Sequence, residues 1–531
     1  MELFDRHFAD EPGAGERWDL VVVDRRATGS DELVRLSRLG TPIGIDEGGE
    51  AREMMPYLID TLPLPARLPR ANCSSSAYQA RPARRRAPGE AASGKVIVSF
   101  GGEDPGGLSS KMITALLEGN FFTAEQITLV VGPLFHCESL PRDVARLDAP
   151  SDLRERLHEF DILFTSFGRT AYEAVNAGIS VVLFNPSRYH RTLSRIAGFP
   201  EIGVRRVRRR RLRRILSDRD ELRSRCSRLA PEHQESISDR LEGLEVPLFD
   251  RCPVCGENKN MAIGRFPDRS FFRCRRCSMV YELDFSKGQR RYDKAYFFED
   301  YRAQYGRTYL EDFDSIRDHA AGRIARLRAI GTPVADKRVL DVGCAFGPFL
   351  VEASRAGGRV LGIDVAHDAV EYVRNNLGLP CERLSLEDLD LDATFGTDTV
   401  DIVTMWYVIE HLPQLGRMLA KINTLLPLGG VFAFSTPNLH GISGRSNPQK
   451  FLANSPYDHF TLWDPRIARR VLRLYGFQVR EVQITGHHPE RFPVVGAAAG
   501  WRYSLLRRYS VLARLGDTFE CYTVKVSELD R

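Results

Sequence analysis

Nowhere in its 531 residues does the sequence hold an uncharged apolar run of about 18, so no membrane-spanning helix is expected. The acidic, mixed stretch Met1 to Pro12 lacks the basic and apolar regions of a signal peptide, and a cytoplasmic protein is the expectation. Charge of one sign is missing as well. Against 75 basic residues stand 70 acidic ones, and the resulting +5 is too mild to imply nucleic acid. A disulfide framework is also absent. Of ten cysteines, four cluster in metal spacing and Cys73, Cys137, Cys226, Cys344, Cys381 and Cys521 are scattered, as reduced thiols would be. With 43% apolar residues the chain has enough to build ordinary cores, and its length suits two to four α/β domains.

The most informative stretch begins at Val339. Val339 to Val342 is a buried strand by its apolar run, Gly343 to Gly347 a tight loop, and Pro348 the first residue of a helix, where its missing N–H costs nothing. Gly357 and Gly358 end that helix and Arg359 to Ile363 form a second strand. Asp364 then stands 21 positions beyond Gly343, where an acid can accept both ribose hydroxyls of an adenosine-containing ligand. The G-x-G-x-x-G triplet that admits a pyrophosphate is absent. Instead Asp341 precedes the glycines, which suits a ligand carrying an amino group and a sulfonium. Asp341, Gly343, Cys344 and Gly347 resemble motif I of the class I S-adenosylmethionine (SAM)-dependent methyltransferases, with Ala345 in place of the usual central glycine.

The resemblance extends over residues 286–531. Strands are expected near Arg383, at Asp401 to Val408, at Val431 to Asn438, at Gln478 to Thr485 and at Glu520 to Val526, completing a seven-stranded Rossmann-like sheet. The family implies SAM as cofactor, Glu387 or its neighbour Asp388 at the adenine, and Trp406 beside the cleft. It also places Tyr407 to Leu412, which ends in Ile-Glu-His-Leu, at the site of methyl transfer. His411 is the first candidate base and His459 the second, each with a structural role as the plain alternative; His487 and His488 are placed to line the entrance. Tyr292, Tyr296, Phe297, Phe298, Tyr301, Tyr305, Tyr309 and Phe313, with the helical Asp314 to Ile330, resemble the cap that small-molecule methyltransferases fold over donor and acceptor.

Cys252, Cys255, Cys274 and Cys277 stand in C-x2-C-x18-C-x2-C, the spacing of a structural zinc ribbon over residues 247–285, with a hairpin expected at Ala262 to Arg273. So short a segment would draw its folding energy from the Zn²⁺ it binds.

The N-terminal half reads as strand, helix, strand from Trp18 to Asp46. A Ser-, Ala-, Pro- and Arg-rich linker at 73–94 follows, and a second lobe at 95–246. In that lobe, strands feed two glycine turns, Gly101 to Gly107 and Ser166 to Thr170, the second opening a helix that carries Glu173. These residues resemble the nucleotide-sugar-binding lobe of GT-B glycosyltransferases, above all the MurG-like enzymes and the UDP-sugar hydrolases of pseudaminic acid synthesis. The resemblance implies that Gly101, Gly102, Ser166, Gly168 and Thr170 hold a diphosphate and Glu173 a ribose. The lobe at 1–72 is short for that family and lacks its glycine- and histidine-bearing acceptor loop, so loss of independent catalysis is expected. Arg205 to Arg214 holds eight arginines in ten positions, and the apolar stripe through Val207, Leu212, Ile215 and Leu216 marks them as the solvated face of a helix.

The combined expectation is a methyltransferase acting on a sugar, nucleotide-sugar or glycan-type acceptor, with oligomeric state left open. Two alternatives stand beside it: a zinc-ribbon rRNA methyltransferase, and an N-terminal region that is a non-catalytic nucleotide-sugar-binding scaffold.

Overall fold

A computed structural model describes residues 17–529, apart from 26, 66–67, 88, 105, 136–142, 249, 287–305, 397 and 493–499 and the side chains of 394–395. The aromatic residues from Tyr292 to Tyr305 and Cys137 lie outside the described residues. The chain divides into two compact units, one comprising Val21–Gly29 and Pro42–Leu244 and the other Ser30–Thr41 and Glu245–Arg531. Among the described residues no helix is long and apolar enough to cross a membrane.

The first sheet holds β1 (Leu20–Asp24), β2 (Thr41–Ile45), β3 (Tyr57–Asp60) and β4 (Cys73–Ser74) in that order. β4 corrects the sequence reading: the start of the expected linker pairs in parallel with β3 through Ile59 and Cys73. Further along, the Arg86 guanidinium is buried on Asp161 and on the Phe160 carbonyl. The composition that signalled a linker reflects short turns, since the backbone there is fixed by polar side chains in place of an apolar period.

The second lobe is a six-stranded sheet of β5 (Val96–Ser99), β6 (Ile127–Val131), β7 (Ala145–Asp148), β8 (Ile162–Thr165), β9 (Ser180–Asn185) and β10 (Glu201–Val204). Its order is β10-β9-β8-β5-β6-β7, with every pair parallel. Each central strand is a β-branched, fully buried run, as a sheet covered on both faces requires. The strand order reverses between β5 and β8, and the loops leaving both strands open at this switch point.

The other unit starts with a hairpin of β11 (Asn260–Phe266) and β12 (Arg269–Cys274), extended by β13 (Val280–Asp284), a strand that the sequence pattern did not disclose. Its large sheet has β14 (Arg338–Val342) and β15 (Arg359–Asp364) at the centre and β16 (Cys381–Arg383) at one edge. Beyond β14 come β17 (Ile402–Trp406) and β18 (Val431–Pro437). A two-residue strand, β19 (Thr461–Leu462), leaves this sheet and pairs with β13, through Val280 with Leu462 and Tyr281 with Thr461. β20 (Phe477–Thr485) and β21 (Thr518–Lys525) close the order β16-β15-β14-β17-β18-β21-β20, with β21 antiparallel to both neighbours. The helix Phe313–Ala329 packs on this sheet through Ala320 and Leu327.

Candidate active site

β14 ends in a loop whose geometry explains its glycines. Gly343 has φ +67, and a Cβ there would lie 2.5 Å from Val408, so the backbone can pass only as glycine. Ala345 also sits at positive φ, +48, a conformation that a methyl group strains. Its N–H donates to Asp364 Oδ2 at 2.8 Å, and Ala366 N–H to Oδ1 at 2.9 Å, which fixes the carboxylate at the end of β15. Gly347, the left-handed residue before the Pro348–Arg355 helix, packs against Val373 and Leu377, so its part is to seat the helix. The Cys344 side chain likewise turns away from the loop, its Sγ 3.5 Å from Cys381 Sγ in the core. Only its backbone borders the cleft.

That cleft, about 780 Å³, is lined by Asp341, Gly343, Asp364, Glu387, Trp406 and His411 among others, so six of the residues singled out by sequence converge on one space. Its charges are arranged for a zwitterion with an added cation. Burial pushes the Asp341 carboxyl up to about 7, against the Thr404 hydroxyl, which donates to Oδ1 at 2.6 Å, and against the charge of Arg323. Burial also raises Asp364, opposed by its backbone donors. Arg323, which sequence reasoning missed, reaches the cleft from the helix Phe313–Ala329. Its Nε donates to Glu520 at 2.8 Å, and its guanidinium lies 4.0 Å from the centre of the Trp406 ring. Nothing but its helical position distinguishes Arg323 among the chain's basic residues. The Trp406 indole N–H is buried without a partner among the described residues. Glu387 borders the cleft, with its carboxylate 2.6 Å from Arg417, while Asp388 accepts from the Ser385 hydroxyl. Tyr309 lines the cleft and stacks near Phe346, and Phe313 meets Tyr372.

At the other end, beyond β17, the backbone turns through Tyr407 at φ +61 into the short helix Ile409–His411. His411 Nδ1 lies 2.9 Å from the Asp458 carbonyl and 3.4 Å from its carboxylate, and the His459 ring stands 4.7 Å away, edge to face. Burial alone would pull the His411 imidazolium down. The Asp458 side chain and the charge of Glu410 outweigh it and hold the group above its ordinary value. Glu410, His411 and His459 offer ligand atoms within 4.8 Å of one another. His488 lines the cleft, whereas His487 is tied to Ser510.

The loop bearing Asp458 and His459 is held from the sheet of β11, β12 and β13. Arg269, buried at the start of β12, donates to the Ser455 and Ala453 carbonyls at 2.7 and 2.6 Å, pairs with the buried Glu282 and lies 4.0 Å from the centre of the Tyr457 ring. Tyr457 donates to Asp268 at 2.6 Å, and Glu282 N–H to the Phe460 carbonyl at 3.0 Å. Beyond the hairpin, the Sγ atoms of Cys252, Cys255, Cys274 and Cys277 all lie within 4.8 Å of one another, two pairs at 3.4 and 3.5 Å. A tetrahedral Zn²⁺ with bonds of about 2.3 Å needs thiolates about 3.8 Å apart, so the donor set fits that ion. Gly256 and Ser278, each following the second cysteine of its pair, take positive φ and close two matching knuckles. The first knuckle docks on Gly416, whose N–H donates to the Pro253 carbonyl at 2.8 Å.

In the other unit, the turns bearing Gly101 and Gly102, and Ser166, Gly168 and Thr170, leave the adjacent strands β5 and β8. Glu173 is half-buried, and burial raises its carboxyl. Sequence reading missed Asp104. Its carboxylate accepts from Leu108 and Ser109 N–H at 2.8 and 3.0 Å, taking amides at the start of the first helix. The Arg-rich helix Arg209–Leu216 buries Leu212 and Leu216 and exposes Arg209, Arg210, Arg213 and Arg214, while Arg211 joins Arg191 and Arg195 on the buried Glu201.

Comparison with known proteins adds sequence relationships to this geometry. Residues 313–482 match a family model described as a methyltransferase domain. The ubiquinone biosynthesis O-methyltransferase of Thiobacillus denitrificans is 29% identical over 177 residues, covering 31% of this chain and 75% of that protein. The enzyme of the same name from Nitrosococcus oceani is 28% identical over 166 residues, 29% of this chain and 68% of that one. Among solved structures, a putative SAM-dependent methyltransferase from Listeria monocytogenes is 19% identical with a TM-score of 0.30, covering 39% of this chain and 99% of that one.

Proposed function

From the premise that this chain is an enzyme with a class I SAM-dependent methyltransferase domain at residues 313–482, we propose that it methylates a hydroxyl of a sugar, nucleotide sugar or related glycan-type small molecule. The observation that carries this reading is the set of charged groups lining one cleft, Asp341, Asp364 and Arg323 together with His411. Asp364 would take the ribose of SAM, Asp341 its cationic centre and Arg323 its carboxylate, and the Leu386–Glu387 edge the adenine. SAM, when bound, supplies a methyl group already activated by the sulfonium.

The work left to the chain is to align an acceptor and remove its proton. His411, anchored through Nδ1 by Asp458, would accept that proton, with His459 against its ring. Oxygen as the acceptor atom is carried over from relatives whose names state O-methylation. Four cysteines in ribbon spacing, at separations that suit tetrahedral thiolates, support a structural Zn²⁺.

The sugar class rests on the N-terminal lobe, where two glycine turns meet at a switch point as in nucleotide-binding α/β folds. Asp104 favours a second reading of that lobe. With amides of the first helix already taken by a carboxylate, a diphosphate would depend on the Ser166–Thr170 turn, which suits a scaffold that binds a nucleotide sugar without turning it over. Incubation with labelled SAM and a panel of UDP-, GDP- and CMP-sugars, followed by mass analysis, tests the proposal. Gain of one methyl on a sugar supports it; methyl transfer confined to acceptors without a sugar would refute the acceptor class.

A further inference from the structure

Between β20 and β21 lies the helix Trp501–Leu512, whose only buried side chain is Ser510. Ser510 bonds His487 at 2.8 Å, and Tyr503 and Leu506 are partly covered on the same side, so this face is turned to the protein. The opposite face is apolar and open. Trp501, Leu505, Tyr509 and Leu512, spaced at successive turns, are 73%, 59%, 54% and 84% exposed. Contiguous apolar ridges of this kind are rare on monomeric soluble proteins and mark an interaction surface. The flanks are cationic: Arg502 borders the ridge on one side and Arg508 on the other, Arg507 and Arg514 are exposed nearby, and no carboxylate occurs from Trp501 to Leu515.

We propose that this helix docks the enzyme on an anionic phospholipid surface, with the Trp501, Leu505, Tyr509 and Leu512 ridge in the interfacial layer and Arg502 and Arg508 on lipid phosphates. The charge pattern selects this occupant. An interfacial helix pairs an apolar ridge with flanking arginines that reach the headgroups, and Trp and Tyr settle at that depth. An anionic surface also complements a segment bearing four arginines and no acid. Thr485, Gly486 and His488, beside the His487 that bonds Ser510 of the helix, line the methyltransferase cleft, so docking would bring the rim of that cleft to the lipid.

Full-length protein is sedimented with vesicles of phosphatidylcholine alone, or of phosphatidylcholine with one part in four phosphatidylglycerol. The expected result is binding to the anionic vesicles only, reduced by high salt, with a blue shift of tryptophan emission. Trp501→Ser/Leu505→Ser should lower the partition coefficient by about tenfold or more, and Arg502→Ser/Arg508→Ser by a similar factor on anionic vesicles. SAM affinity measured by calorimetry should stay at the wild-type value in both variants, showing an intact cleft. Three results would overturn the proposal: no binding to either vesicle; binding that neither variant weakens; or a concentration-dependent dimer that Trp501→Ser/Leu505→Ser abolishes, which would assign the ridge to a second copy of the chain.

Discussion

Replacing Arg269 by Met tests whether the start of β12 holds the loop beside His411. The guanidinium is 3% exposed, lies 3.4 Å from Glu282 Oε1 and donates to the carbonyls of Ala453 and Ser455. Methionine keeps most of the volume and removes the charge, which leaves a buried carboxylate and two carbonyls without their donor. Breaking a buried pair in this way costs about 3–5 kcal/mol, equivalent to about two to four orders of magnitude in local opening.

The cost must depend on pH. Burial already holds the Glu282 carboxyl well above the ordinary carboxylate range, with Arg269 opposing it. An acid whose folded pKa exceeds its unfolded one binds more protons when folded, so its destabilising effect is greatest at alkaline pH and fades as pH falls toward the unfolded value. Amide hydrogen exchange over residues 453–462 and 280–285 reads the local opening, and suits a chain of two units better than a global melt. Arg269→Met should lose protection at pH 8 and regain part of it on acidification. Arg269→Met/Glu282→Gln should recover most of the loss and its remaining deficit should not vary with pH. Protection unchanged at pH 8, or a double variant as weak as the single one, would refute the reasoning.

Other outcomes follow from the same cleft and ribbon. Asp364→Ala should reduce SAM affinity by about two orders of magnitude, because a buried acceptor for two ribose hydroxyls is lost; unaltered calorimetric binding would remove that assignment. With the Asp341 carboxyl near 7 in the free protein, SAM binding below that pH should release a proton and weaken as pH falls, visible as buffer-dependent binding enthalpy. Because His411 is held above its ordinary value, the rate with any identified acceptor should rise with pH through an inflection above about 6.5, and Asp458→Asn should shift that inflection downward. Cys274→Ser should lower bound zinc, measured by atomic absorption, and expose the 453–460 loop to protease; metal-free wild type with the same melting curve would overturn the zinc assignment.

The large sheet was readable because its strands are continuous apolar runs that end in glycine loops. β14, β15, β17, β18, β20 and β21 all appear within two or three residues of their expected bounds. At the ends of those strands Asp341, Gly343 and Asp364, two acids and a glycine set by spacing along the chain, border one cleft. Residues whose role depends on distant packing were not readable. Arg323 is one basic residue among 75 until its helix turns it over Trp406 and onto Glu520, 197 positions away. Side-chain surroundings were equally hidden at Cys344 and Gly347: the Cys344 thiol lies against Cys381, and a Cβ at Gly347 would meet Val373 and Leu377.

The four-cysteine segment carries this distinction furthest. Its four cysteines announce themselves by spacing, and from sequence they suggest a module whose folding is settled by its metal. In three dimensions the hairpin's third strand takes β19 as a neighbour, its first knuckle rests on Gly416, and Arg269 closes on carbonyls 184 and 186 positions away. A segment bound by backbone pairing, a close glycine contact and a buried cation is part of the catalytic unit's architecture. Zinc loss should therefore reach His411 through the Asp458 carbonyl while leaving Asp341 and Asp364 in place. SAM binding that survives chelation, together with a shifted histidine titration, is the expected signature. Loss of both functions at once would instead mean that the metal holds up the whole unit.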